Sequence, residues 1–199
     1  NMAVRKMKRK GDNMLRDALI LCAITLVLGS VLGVTYMMTR SPIDNGAIAA
    51  KNEAYVRTFP GQEVKPVEDE TLNGLIKNKG TTGEGDDTVI ISDGAVIDDK
   101  SGTKIGYSFI AAAKGYNGNV TVSVGVDCGG VITGIDIVSM NETAGLGANC
   151  TEASFKGQFT GKSGSIVTGE DIDAISGATI TTDAVVSAVN ACLRLVSEM

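Results

Sequence analysis

The side chains best suited to hold an anion are gathered in Asp173-Ala174-Ile175-Ser176-Gly177-Ala178-Thr179-Ile180-Thr181-Thr182. Asp183 to Met199 follows, with Val185, Val189, Cys192, Leu193 and Val196 at helical spacing and no Gly or Pro to interrupt them. The stretch therefore opens a predicted helix, whose first N–H groups lack internal acceptors and carry a partial positive charge. That end suits a phosphate. Gly177 and Ala178 let a bulky group approach the backbone, and two of the threonines are expected to cap the helix. Taken alone, the same residues also read as a plain capped helix after a turn.

A second loop, Asn141-Glu142-Thr143-Ala144-Gly145-Leu146-Gly147, combines a carboxylate, a hydroxyl and two glycines. By itself it lacks the strand–helix setting of a dinucleotide fingerprint and reads as a flexible turn leading into Glu152–Phe159.

The totals exclude several chemistries. There is no His, which removes His-based triads and most zinc and haem sites, and no metal site is expected. There is no Trp, so aromatic contact to a ligand must come from Tyr or Phe. Cys22, Cys128, Cys150 and Cys192 include no C-x-x-C pair, which argues against a thiolate-bound cluster. A Cys128–Cys150 disulfide stays open at this level, and Cys192 reads as a core residue. Residues 1–40 hold seven Lys/Arg against two acids, and residues 41–199 hold eleven against twenty-one. A body with net charge −10 is no nucleic-acid binder.

The elements that must position these loops divide into four expected segments: a basic cytoplasmic tail (1–17), a transmembrane anchor (18–39), a linker helix with polar surface loop (40–87) and a ligand-binding domain (88–199). The uncharged run from Ala18 to Met38 would extend about 31 Å as a helix, enough to cross a hydrocarbon core of about 30 Å. Basic residues before it place the N-terminus in the cytoplasm and the body outside. The run is too long for a signal-peptide h-region and ends in Tyr36-Met37-Met38 rather than a small-x-small site, which favours an uncleaved anchor. Gly29 and Gly33 form a small-xxx-small pair. Ile43 to Tyr55 reads as a short helix ended by Phe59-Pro60-Gly61, and Gly61 to Asp87 as surface loop with a single turn near Leu72–Ile76.

From Thr88 the pattern becomes β. Val89-Ile90-Ile91 and Ala95-Val96-Ile97 read as two short strands parted by Ser-Asp-Gly, and Thr103–Ala112 as a longer one. Val120, Val122, Val124 and Val126 alternate with small polar residues, as in a half-buried strand. Asp127-Cys128-Gly129-Gly130 turns the chain into a partner strand, Val131–Val138. The expected fold is α+β: an antiparallel sheet with a few helices on one face, behind a single span.

The string Asp-x-x-Ser-Gly-Ala-Thr resembles the flavinylation motif of the FMN-binding subunits of Rnf and sodium-pumping NADH:quinone reductase complexes. In family order the chain also has Gly115-Tyr116-Asn117-Gly118, the hairpin, Glu142-Thr143-Ala144-Gly145-Leu146-Gly147, then Phe155 and Gln158-Phe159. Ala144 stands where the family usually has proline. The resemblance implies FMN joined through a phosphoester to Thr179 by a dedicated flavin transferase that reads Asp173. Ser176, Gly177, Ala178 and Thr181 would shape the phosphate turn, Thr181 donating to the phosphate or capping the helix. Glu142, Thr143 and Leu146 would line the ring system. It further implies a G-type subunit of an Rnf complex in the bacterial inner membrane, relaying electrons between ferredoxin and NAD+ with coupled Na+ or H+ movement beside other membrane subunits. Such a subunit is part of an oxidoreductase but has no catalytic residue or substrate site of its own. The compact linker favours Rnf over the C subunit of the quinone reductase. A stand-alone extracytoplasmic flavoprotein would need a substrate domain, and a non-redox binding module would leave both motifs without a purpose.

Overall fold

Alternating apolar residues make each strand of this chain a two-sided element, and both sides are used. The structure, a computed structural model, describes residues 2–199, with side chains at 16–36, 48–85 and 87–199. Two compact units are present, Asn1–Ala49 and Ala50–Met199. The first is helical, part of α1 (Met2–Arg57). Its segment Arg16–Tyr36 has a mean hydropathy of 2.4 and is long and apolar enough to cross a membrane. Nearly all side chains of the expected basic tail, and those of Met37–Thr39, lie outside the described residues.

The second unit is built on one antiparallel sheet: β1 (Val64–Val67), β2 (Thr81–Thr82), β3 (Val89–Asp99), β4 (Lys104–Lys114), β5 (Asn119–Asp127) and β6 (Ile132–Ser139). The order is β1-β3-β4-β5-β6, with β2 also paired to β3. Three helices join it: α2 (Glu70–Lys79), α3 (Ala153–Lys156) and α4 (Thr179–Ser197).

One face carries the main core. Val120, Val122, Val124 and Val126 are fully buried there with Phe109 and Ala111, against Val185, Val189 and Cys192 of α4. Helix α2 joins this core through Leu72 and Ile76. Asp69 caps α2 by accepting from the Leu72 N–H at 2.9 Å. A methyl group on Gly94 of β3 would lie 2.9 Å from both Ile76 Cδ1 and Phe109 Cδ1, so the bare backbone there gives α2 its seat.

The other face is covered too, by residues 54–60. Tyr55 and Phe59 pack on Ala95, Ile97 and Ile110. Beside them runs a buried chain of hydroxyls: Thr58 to Ser108 at 3.0 Å, Ser108 to Ser123 at 3.4 Å, and Ser123 donating to the Ala54 carbonyl at 3.2 Å. Thr133 donates to the Thr58 carbonyl at 2.7 Å. Gly106, Gly125 and Gly134, on three adjacent strands, leave the space: a methyl on Gly125 would sit 2.6 Å from Thr58 Oγ1. Asp136 is bracketed by Lys156 at 2.7 Å and Arg57 at 3.3 Å.

Four expectations change. Both faces of the sheet are covered, so Val122–Val126 of β5 are buried without a break rather than alternately. The two short strands around Ser-Asp-Gly are one strand, β3, with a bulge between Ile91 and Asp93. The extra residue reverses the alternation, so Val89 and Ile91 face α4 whereas Ala95 and Ile97 face Tyr55 and Phe59. The stretch 61–87, read as loop with one turn, holds β1, α2 and β2; its few apolar residues suffice because Leu72 and Ile76 lie four apart. All four cysteines are free thiols, so Cys128 and Cys150 are not bridged.

Candidate flavin site

The last helix begins at Thr179, four residues earlier than periodicity predicted, so Thr179 is its first residue. The cap residue is Ala178, with no side-chain cap bond, and the expected threonine cap is absent. A different device fixes this end. Ile175 to Ala178 form a turn closed by the Ala178 N–H on the Ile175 carbonyl at 2.9 Å. Gly177 takes φ 73° at its third position, a conformation that type II turns require and glycine supplies. Thr182 then staples the turn from inside the helix: its buried hydroxyl oxygen accepts from the Ile175 N–H and donates to the Ala178 carbonyl, both at 3.1 Å. The N–H groups of Thr179, Ile180 and Thr181 have no acceptor among the described residues. Thr179 and Ser176 are exposed. An exposed hydroxyl at a helix start with free donors is the arrangement an anion needs.

Thr181, two residues on, points elsewhere, because two helical steps turn a side chain through about 200°. It is 1% exposed and its Oγ1 has no hydrogen-bond partner. It faces Gly147, where an added methyl would lie 2.7 Å from Thr181 Oγ1 and 2.7 Å from Glu142 Oε2. A methyl on Gly177 would lie 3.2 Å from Leu146 Cδ2. The two loops singled out in the sequence therefore meet. The second is itself a tight turn: Leu146 N–H donates to the Thr143 carbonyl at 3.1 Å, with Gly145 at φ 77°. Ala144 holds the second position of this turn, where proline is favoured; the turn closes without it because Gly145 supplies the demanding conformation.

A third segment joins them. Glu142 Oε1 accepts from the Asn117 N–H at 3.2 Å and lies against Gly115. Asn117 Nδ2 donates to the Asn141 carbonyl at 3.0 Å. Tyr116, between those residues, is 72% exposed, while all four phenylalanines are buried. Phe155 and Phe159 meet edge to face inside the core, away from any ligand surface. Tyr116 is thus the exposed aromatic of the second unit, a residue the sequence reading placed in the Gly115–Gly118 hairpin without giving it a ligand contact. Ile180, 53% exposed beside Thr179, is a further apolar surface missed by sequence reasoning. Thr143 is exposed and enters the turn through its carbonyl. Asp173 is exposed, tied to Gln158 through its N–H at 2.7 Å, and its carboxylate makes no hydrogen bond among the described residues. Behind the loop lies Cys150, its thiol pushed up by burial and by the nearby Glu142.

Residues 115–194, which include these loops, match the FMN-binding domain family. The matched stretch spans the Tyr116 turn, β5, β6, the Glu142 loop and most of α4.

Among individual proteins, it is similar to the G subunit of the Na+-translocating ferredoxin:NAD+ oxidoreductase complex of Acetobacterium woodii, with 40% identity over 110 residues. That match covers 50% of this chain and 53% of the relative, so it spans about half the relative's length. The G subunit of the ion-translocating oxidoreductase complex of Methanosarcina acetivorans is 28% identical over 180 residues, 87% of this chain and 89% of that one. The crystal structure of Shewanella oneidensis NqrC has the same fold, with a TM-score of 0.51 at 17% identity over 74% of this chain and 96% of that one.

The residues present fit a flavin phosphate and ring. The free donors at the start of α4 and the bare Gly177 are features that a plain capped helix has no use for, whereas Thr181, expected to donate to the phosphate or cap the helix, is turned inward against Gly147.

Proposed function

We propose that this chain is the membrane-anchored electron-carrier subunit of an Rnf-type complex. It relays electrons between ferredoxin and NAD+ through FMN held covalently on Thr179, with Na+ or H+ transport coupled to that flow by neighbouring membrane subunits. The observation that carries the reading is the meeting of Gly177 and Thr181, which flank the exposed Thr179 on a helix start with unused N–H groups, with Leu146 and Gly147 of the second loop.

FMN, when bound, supplies one- and two-electron transfer. The protein's part is attachment, orientation and electrostatics. Thr179 Oγ1 carries the phosphate as an ester, and the start of α4 offsets its remaining negative charge. Ser176, Gly177 and Ala178 leave room for the phosphate, while Leu146 and Tyr116 supply apolar surface for the ring. Asp173, exposed and without a structural duty for its carboxylate, is free to be read by the flavin transferase. The Arg16–Tyr36 helix serves as the anchor, with the basic residues before it in the cytoplasm and the flavin domain outside. A tethered cofactor outside the cell stays in place whatever its dissociation constant, which explains why attachment would be covalent there.

The test is the intact mass of the denatured protein, wild type beside Thr179→Ala, each produced with and without a flavin transferase. An FMN increment only in wild type with the transferase is expected. Wild type without an adduct in its native host would reduce the Thr179 site to an ordinary helix start.

A further inference from the structure

Covalent attachment fixes only one end of a flavin, so something else must hold the ring. Resting on the reading of Thr179 above, we propose that Glu142 is a positioning residue: braced across Gly147 by Thr181, it fixes the Tyr116 and Leu146 loops as a ring seat independent of the ester bond.

The Glu142 carboxylate points into the protein between two glycine backbones. On one side it lies against Gly115 and accepts the Asn117 N–H at 3.2 Å. On the other it borders Gly147, where a methyl would come within 2.7 Å of Oε2. A side chain at either glycine would take the space the carboxylate occupies. Thr181 Oγ1, 1% exposed and unpaired, closes the far side of Gly147 at the same 2.7 Å. Glu142 thus touches the turn that carries Tyr116 and the loop that carries Leu146, and only Gly147 separates it from α4. The two apolar groups left exposed by this joint are Tyr116 at 72% and Leu146 at 44%. Leu146 lies against Gly177, next to the attachment turn, with 3.2 Å to a methyl placed there. Glu142 therefore acts through Tyr116 and Leu146 and not by direct contact with the ring.

This division of labour separates attachment from seating. Thr179 and the turn before it stay intact when Glu142 is changed, so loading by the transferase should survive while the ring comes loose. The experiment compares wild type, Glu142→Ala, Glu142→Gln and Gly147→Ala as full chains, each produced with the transferase. Intact mass reports attachment, and flavin fluorescence anisotropy and midpoint potential report seating. Amide hydrogen exchange at Asn117 in protein made without transferase reports the joint itself.

Glu142→Ala and Gly147→Ala are expected to carry the wild-type FMN increment with lower anisotropy, higher flavin fluorescence and a shifted potential. Their Asn117 N–H should exchange at least about tenfold faster, as expected when a hydrogen-bonded amide opens locally. Glu142→Gln, which keeps the acceptor and the shape, should restore anisotropy and Asn117 protection. Wild-type anisotropy and exchange in Glu142→Ala would overturn the proposal. So would a failure of Glu142→Gln to restore them, since charge and not the joint would then matter. If wild type itself takes no FMN, the Thr179 reading fails, and Asn117 exchange still decides whether Glu142 holds the loops.

Discussion

The two faces of the sheet are buried by different means. Toward α4 the contact is apolar throughout: Val120, Val122, Val124, Val126 and Phe109 meet Val185, Val189 and Cys192. Toward residues 54–60 it is a keyed fit, with three glycines, a row of hydroxyls and a smaller apolar cluster around Tyr55 and Phe59. The first kind of contact is non-directional and follows from area removed from water. The second depends on shape and on each hydroxyl finding its partner, because a buried polar group left unmade is costly. The candidate flavin site grows from the end of the first face, where α4 begins. Its loops repeat the devices of the second: bare glycine backbone and a buried hydroxyl.

The comparison can be broken most strongly by Phe109→Ala, which empties a fully buried site on the α4 face. A loss of about 3–5 kcal/mol is expected, read from urea unfolding of the full chain in detergent. On the keyed face a single added methyl should also matter. Gly125→Ala places a carbon 2.5 Å from Thr133 Oγ1 and 2.6 Å from Thr58 Oγ1, for roughly 1–3 kcal/mol. A cost under about 0.5 kcal/mol, the level of ordinary surface changes, would show that this seat yields easily.

Thr58→Val keeps volume but removes the hydroxyl shared by Tyr55 and Ser108, and should cost roughly 1–2 kcal/mol. Combined with Ser123→Ala it should cost less than the sum, since both belong to one network. Strict additivity would mean that the hydroxyls act separately.

The smallest expected effect sharpens the contrast by pH. Burial pushes the Cys192 thiol on the α4 face up from its ordinary 9.0, and burial followed by the Asp93 charge pushes Tyr55 on the other face up from 10.0. Both folded values are raised, so the unfolded chain loses these protons first and their contribution is complete only below the unfolded values. Stability should therefore fall above pH 9.0 through Cys192 and more steeply above pH 10.0 through Tyr55. Cys192→Ala should flatten the first limb alone and Tyr55→Phe the second, as followed by thermal unfolding across that range.

Much of this was legible beforehand. The valines of β5 alternate strictly, and the apolar positions of α4 recur at helical spacing, so both elements announce themselves locally. The two site loops were visible as well, because Ser-Gly-Ala-Thr and Gly-Leu-Gly are short strings with unusual backbone demands. Helix α2 was harder to see, since its burial depends on Leu72 and Ile76 finding the hollow above Gly94, a partner on another strand. The bulge in β3 was equally hidden: Ser92 shifts the register only against a paired β4.

By itself the sequence determined β4, β5 and β6, the last helix, the long apolar segment and the order of the two motifs, all set by periodicity and local backbone preference. Only the tertiary structure decided that residues 54–60 cover the second sheet face, since glycines 106, 125 and 134 become a seat only when their strands stand side by side. It likewise decided that Thr181 faces inward, that Thr182 rather than a cap fixes the helix start, and that Glu142 reaches back to Gly115 while bordering Gly147. These contacts join separate strands and loops or depend on which side of a helix meets the core, and local preference carries no information about either.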